Sequence, residues 1–137
     1  MSVRNYRDLE VWVRAMELVK GIYALTSRFP ANERYGLTSQ IQRAAVSVPS
    51  NIAEGHARDS TRDYLRFISI ALGSMAEVET QLLLSRDLNL AGETAVHDLL
   101  ALSERISMML RKLQISLRER LPLSSRIPNP ESRTPIQ

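Results

Sequence analysis

Arg34-Tyr35-Gly36-Leu37-Thr38-Ser39-Gln40-Ile41-Gln42-Arg43-Ala44-Ala45-Val46-Ser47-Val48-Pro49-Ser50-Asn51-Ile52-Ala53-Glu54-Gly55 spells one helix with a proline inside it and a polar stripe along one face. Gln40, Arg43, Ser47, Asn51, Glu54 and Arg58 recur at steps of three and four, so their side chains share a side of the helix. Leu37, Ile41, Ala45, Val48 and Ile52 make the adjoining apolar side. Pro49 removes a backbone donor and crowds the carbonyl of Ala45, at a cost of roughly 3 kcal/mol in a helix interior. Both the stripe and the proline call for compensation from packing or assembly, and a kink at Pro49 is expected.

Working outward, the preceding segment runs from about Asp8 to Ser27, with Asn5 or Asp8 as its cap and Phe29-Pro30 as its end. It carries two apolar rows side by side. Leu9, Trp12, Met16, Val19 and Tyr23 form one; Val11, Ala15, Leu18, Ile22 and Leu25 form the other. Glu10, Arg14, Glu17, Gly21 and Arg28 fill the narrow remainder. An apolar surface that wide has more than one neighbour to cover.

Thr38 or Ser39 is expected to open the second helix and Gly55 to close it. A third begins at Ser60, with Asp63 three residues on as a capping-box-like partner. Its core row is Tyr64, Ile68, Ala71, Met75, Val78 and Leu82, while Ala71, Gly73, Ser74 and Ala76 keep its middle slim enough for another backbone to approach. Leu88–Gly92 breaks the chain before a fourth helix, where Val96, Leu99, Ser103, Ile106, Leu110, Leu113 and Leu117 form a heptad-type seam. No segment alternates as a strand does. Short connections between four long helices predict an all-α, antiparallel up-down-up-down four-helix bundle over residues 1–121. Four of the six prolines fall in the last sixteen residues, so residues 122–137 are expected to be a mostly disordered tail.

Composition narrows the function classes. A chain of 137 residues suits one domain with one core. Without cysteine there is neither a disulfide framework nor a thiolate metal site. Arg4, Arg7, Asp8 and Glu10 interrupt any apolar leader, and no run approaches the roughly 18 apolar residues of a membrane span. A soluble, cytoplasmic protein with no membrane partner is expected. The net charge is only +3, and sixteen of the eighteen basic residues are arginine, which lifts the pI to about 9.7. Such a balance does not by itself indicate nucleic acid.

Several blocks carry a family resemblance. Asn5-Tyr6-Arg7-Asp8-Leu9-Glu10-Val11-Trp12, Glu33–Ile41, Ala44–Gly55, Tyr64-Leu65-Arg66-Phe67 and Ala71–Leu82, in that order, resemble the four helix bundle proteins of bacterial large-subunit rRNA intervening sequences. The likeness spans Asn5 to Leu113. It implies a small cytosolic bundle assembled as a barrel-shaped homopentamer. Some members of that family are encoded within rRNA intervening sequences, and a related branch is a nucleic-acid-binding accessory to retroelement reverse transcriptases. Gln42 stands where an arginine is frequent, which removes one positive charge.

Chemistry is sparse. His56 and His97 are the sole histidines. A trio of His97, Asp98 and Ser103 would lie on one helix at unsuitable angles, and the Glu-x-x-His spacing of di-metal bundles is absent. Glu93 and His97 are four apart, but a solvated capping turn explains them. No catalytic residue, metal site or cofactor is expected, and the protein is expected not to be an enzyme. Glu79 falls between Met75 and Leu82, so a carboxylate should approach the core or a subunit contact, with Arg43 one candidate partner. Gln40, Arg43, Asn51, Glu54, Glu77 and Glu79 therefore form a candidate structural network or interface. Two basic clusters are the nucleic-acid candidates: Arg58, Arg62 and Arg66, interleaved with Asp59 and Asp63, and Arg111, Lys112 and Arg118 near a helix end whose dipole favours them. RNA or DNA bound through phosphates is the expected activity, repeated around a ring by symmetry. A protein-interaction scaffold without nucleic-acid contact is the alternative.

Overall fold

The computed structural model describes residues 5–126, and all the expectations for residues 127–137 lie outside them. Within this span the chain is all-α: α1 is Glu10–Thr26, α2 Leu37–His56, α3 Thr61–Asp87 and α4 Glu93–Glu119, with no strand. A helical turn at Leu123–Arg126 follows, inside the segment expected to be irregular. Each long helix packs against its neighbour in sequence, and α1 also packs against α4, so the contacts are those of a bundle.

Local chemistry sets the boundaries. Asn5 accepts from the backbone N–H of Arg7 at 2.9 Å and caps a short turn, Tyr6–Asp8, which delivers the chain into α1. The start of α2 departs from expectation. Gly36 holds the cap position, and the Glu33 carboxylate accepts from Leu37 N at 3.4 Å, so neither Thr38 nor Ser39 opens the helix. A carboxylate beside an N-terminal turn meets its free N–H groups and its positive dipole end at once. Ser60 does cap α3, accepting from Asp63 N at 3.1 Å, a contact worth about 1 kcal/mol. The α3 exit is made by Asn89, inside the expected break. Asn89 takes the left-handed conformation, φ 59°, and donates to Arg86 O at 3.0 Å while Leu90 donates to Ser85 O at 2.9 Å. This is the crossed pair of bonds that satisfies carbonyls at a helix end.

The core uses the second row of α1. Val11, Ala15, Leu18 and Ile22 are buried with Ile41, Ala45, Val48 and Ile52 of α2. Ile68, Ala71, Met75, Val78 and Leu82 of α3 join them, as do Val96, Ile106, Leu110 and Leu117 of α4. The other row of α1 is left at the rim: Leu9, Trp12 and Val19 are half-buried and Tyr23 is exposed. Gly21, grouped by sequence with the polar strip, instead faces α4, where an added Cβ would lie 2.6 Å from Leu99 Cδ2. The slim middle of α3 divides. Ala71 and Ser74 face inward, whereas Gly73 is open, with nothing within 4 Å of where its Cβ would be. Against the expectation that no run could span a bilayer, α3 is long and apolar enough by length and composition alone. Its apolar row lies in the bundle core.

Candidate nucleic-acid interface

The polar stripe of α2 becomes a set of local bonds around the proline. α2 continues through Pro49, which is buried and cannot donate to Ala45. Next to it, Ser50 Oγ donates to Val46 O at 2.8 Å, and Asn51 Nδ2 donates to Ser47 O at 2.7 Å and to Ser47 Oγ at 2.8 Å. Ser47 Oγ meets Ser74 Oγ at 2.8 Å, tying the stripe to α3. Side-chain bonds of this i−4 type compete with the backbone ladder and tend to bend helices. Here they go to the carbonyls of Val46 and Ser47, beside the Ala45 carbonyl whose donor the proline removes. Farther along the stripe, Gln40 and Arg43 are exposed and line a groove with Glu77 and Gln81 of α3. Glu54 is exposed and holds Arg58 at 2.7 Å.

Glu79 does not meet Arg43. It sits half-buried on the α4 side of α3, where Ser107 Oγ donates to its Oε1 at 3.4 Å. Glu77 and Glu79 are two positions apart, about 200° around a helix, which explains why one faces α2 and the other α4.

The two basic clusters differ in their surroundings. Arg58 is paired with Glu54, and its guanidinium carbon is 4.8 Å from the Phe67 ring centroid. Arg66 approaches Asp63 at 3.8 Å and flanks the same ring at 5.2 Å; Arg62 is exposed beside them. On α4, Arg111, Lys112 and Arg118 are exposed and have no ion-pair partner among the described residues. Arg111 and Arg118 are two turns apart and thus share a side of the helix.

A third basic site joins residues from α1, α2 and the turn between them. Arg34 and Arg43, again without an ion-pair partner among the described residues, share a cleft of about 570 Å³ with Tyr23, Tyr35, Thr38 and Ser39. The chain separation of Tyr23 from Arg34 hides this site from a reading by helical period.

Titration and catalysis add little. Burial pushes the Tyr64 phenol up, an effect partly offset by the Arg120 charge. His97 is exposed, with Nδ1 3.6 Å from Asp98 Oδ1. Ser103 is buried and gives its hydroxyl to Leu99 O at 2.8 Å, so the three groups do not assemble. Among the described residues no cluster of three or more His, Cys, Asp or Glu could hold a metal ion.

The sequence profile of the 23S rRNA-intervening sequence protein family matches residues 7–112, and the chain belongs to that family. No curated protein matches it.

Proposed function

We propose that this chain is a non-enzymatic, cytoplasmic subunit of a homo-oligomer that binds RNA or DNA through phosphate contacts. The observation that carries it is the exposed, unpaired set Arg111, Lys112 and Arg118 on α4. Cations already held by carboxylates must break those pairs to bind phosphate; these need not. An arginine also offers two parallel donors to a phosphate. The family description adds an association with rRNA genes.

Assembly follows from apolar surface left uncovered on different sides. Val13, Tyr23 and Val46 are exposed on α1 and α2, Ile70, Leu83 and Leu84 on α3, and Met108 and Ile115 on α4. Unlike patches on one subunit favour a head-to-tail contact, which makes a ring where the rotation between neighbours closes. Five copies are preferred because the sequence resemblance points to a pentamer. The helices are taken as antiparallel, up-down-up-down, because the connections at residues 57–60 and 88–92 are too short for anything but reversal. α2 is taken as kinked at Pro49, and residues 122–137 as a tail outside the bundle.

A second reading rests on an apolar groove beside Pro49, lined by Tyr6, Trp12, Met16, Val19 and Val46, which suits a helix from another protein. One preparation separates the two. Purified protein should show a nuclease-sensitive excess of absorbance at 260 nm and, after nuclease treatment, a light-scattering mass of several subunits that binds added oligonucleotide. A monomer that binds none would refute the proposal, and an oligomer that binds none would leave the scaffold.

A further inference from the structure

We propose that the α1–α2 cleft is a subsite for an unpaired nucleotide of single-stranded nucleic acid, its base stacked on tyrosine and its phosphate held by Arg34 and Arg43. The inference rests on the nucleic-acid reading above and goes beyond it, because the α4 cations alone recognise only backbone charge. Two kinds of group converge here. Tyr35 is 90% exposed and Tyr23 47% exposed, an arrangement that contributes little to the core and leaves aromatic faces accessible. Arg34 lies over the Tyr35 ring, 5.7 Å from guanidinium carbon to centroid, so cation and stacking platform are already adjacent. Arg43 enters from α2.

Thr38 and Ser39 line the wall as well, the Thr38 hydroxyl oxygen itself being buried. Gln42 lines the cleft too, its Nε2 donating to Thr26 Oγ1 at 3.0 Å. The Glu33 carboxylate is turned toward Leu37 N, where it caps the helix. Stacking tolerates any base, and the cleft supplies few groups that would read base edges, so preference should be for single strands and not for a sequence. A duplex keeps its bases stacked on each other and cannot offer one to Tyr35.

Fluorescence anisotropy with labelled oligouridine, oligodeoxythymidine and a duplex RNA of equal length tests this on the full chain. Both single strands should bind more tightly than the duplex, whichever sugar they carry. Tyr35→Ala should weaken single-strand binding roughly 5- to 150-fold, the range for loss of one stacked base, with little change for duplex. Tyr35→Phe should restore it. Arg34→Gln with Arg43→Gln should lower affinity and flatten its salt dependence. Because Tyr35 is exposed, circular dichroism should be unchanged. If the unaltered protein binds strands but Tyr35→Ala and the paired arginine variant bind them equally well, the cleft is overturned and the α4 reading stands. If the unaltered protein binds nothing at low salt, both fall. A change of light-scattering mass in Tyr35→Ala would make the cleft a subunit contact and overturn it as well.

Discussion

The start of α3 and the far half of α4 carry nearly equal numbers of basic residues, yet they present different surfaces. Around α3, Arg58 and Arg66 are paired with Glu54 and Asp63 and both approach the Phe67 ring, at the junction of α2 and α3. On α4, Arg111, Lys112 and Arg118 meet no carboxylate among the described residues. Cation count does not decide which surface is available to phosphate; the neighbours of each cation do. Exposed ion pairs are worth only about 0–1 kcal/mol. Their effect on function is larger than that figure suggests, because they set which charge a ligand meets.

The largest effect expected from disturbing this contrast comes from Gly55, where α2 approaches the start of α3. A Cβ there would lie 2.8 Å from Phe67 Cβ and 3.0 Å from Tyr64 Cδ1, with the Tyr64 carbonyl oxygen at 3.4 Å. Gly55→Ala should destabilise the fold by about 1–3 kcal/mol in chemical denaturation, as overpacking does. An unchanged midpoint would show that the junction is looser than its distances imply.

Next comes charge reversal. Arg111→Glu with Arg118→Glu should weaken oligonucleotide binding on the order of tenfold or more, whereas Arg58→Glu with Arg66→Glu should have a clearly smaller effect on binding. Equal losses would erase the distinction between the surfaces. Glu54→Ala sharpens the same point. It should cost less than about 1 kcal/mol, since the pair is exposed, and it should raise affinity slightly by releasing Arg58. A melting temperature that falls more steeply with dilution than that of the unaltered protein would instead place Glu54 at a subunit contact.

Much of the fold was legible beforehand, for reasons particular residues make plain. The α4 seam from Val96 to Leu117 and the α3 row from Ile68 to Leu82 are regular because each buries one stripe against the same core. The Ser60–Asp63 cap is a contact within four residues, so spacing alone reveals it. Less was legible where distant segments decide. Two apolar rows on α1 were evident, but only the partners α2 and α4 select Val11, Ala15, Leu18 and Ile22 as the inner one. Within the Leu88–Gly92 break, Asn89 takes the left-handed turn because its short polar side chain tolerates that conformation. Glu79 met Ser107 and not Arg43 because helical rotation separates it from Glu77. The cleft that joins Tyr23 with Arg34, Tyr35 and Arg43 depends on the path of the α1–α2 turn, for which no residue spacing is a guide.

The smallest effect is expected at the end of the chain. Removing the residues after Leu121 should change stability by no more than about 0.5 kcal/mol, as for a surface change, and should leave helicity intact. Leu123 is 71% exposed, so its side chain adds little to the core. A large loss would mean that this segment packs on a neighbouring subunit.

The most direct test of phosphate binding by the unpaired α4 cations is a salt titration of oligonucleotide affinity, with the unaltered protein and with Arg111→Gln, Arg118→Gln. The unaltered protein should show a steep linear fall of log affinity with log salt. The double variant should be shallower by about 1.4 on single strands, roughly 0.7 for each phosphate contact removed. Identical slopes, or a protein that binds no strand at low salt, would contradict the account.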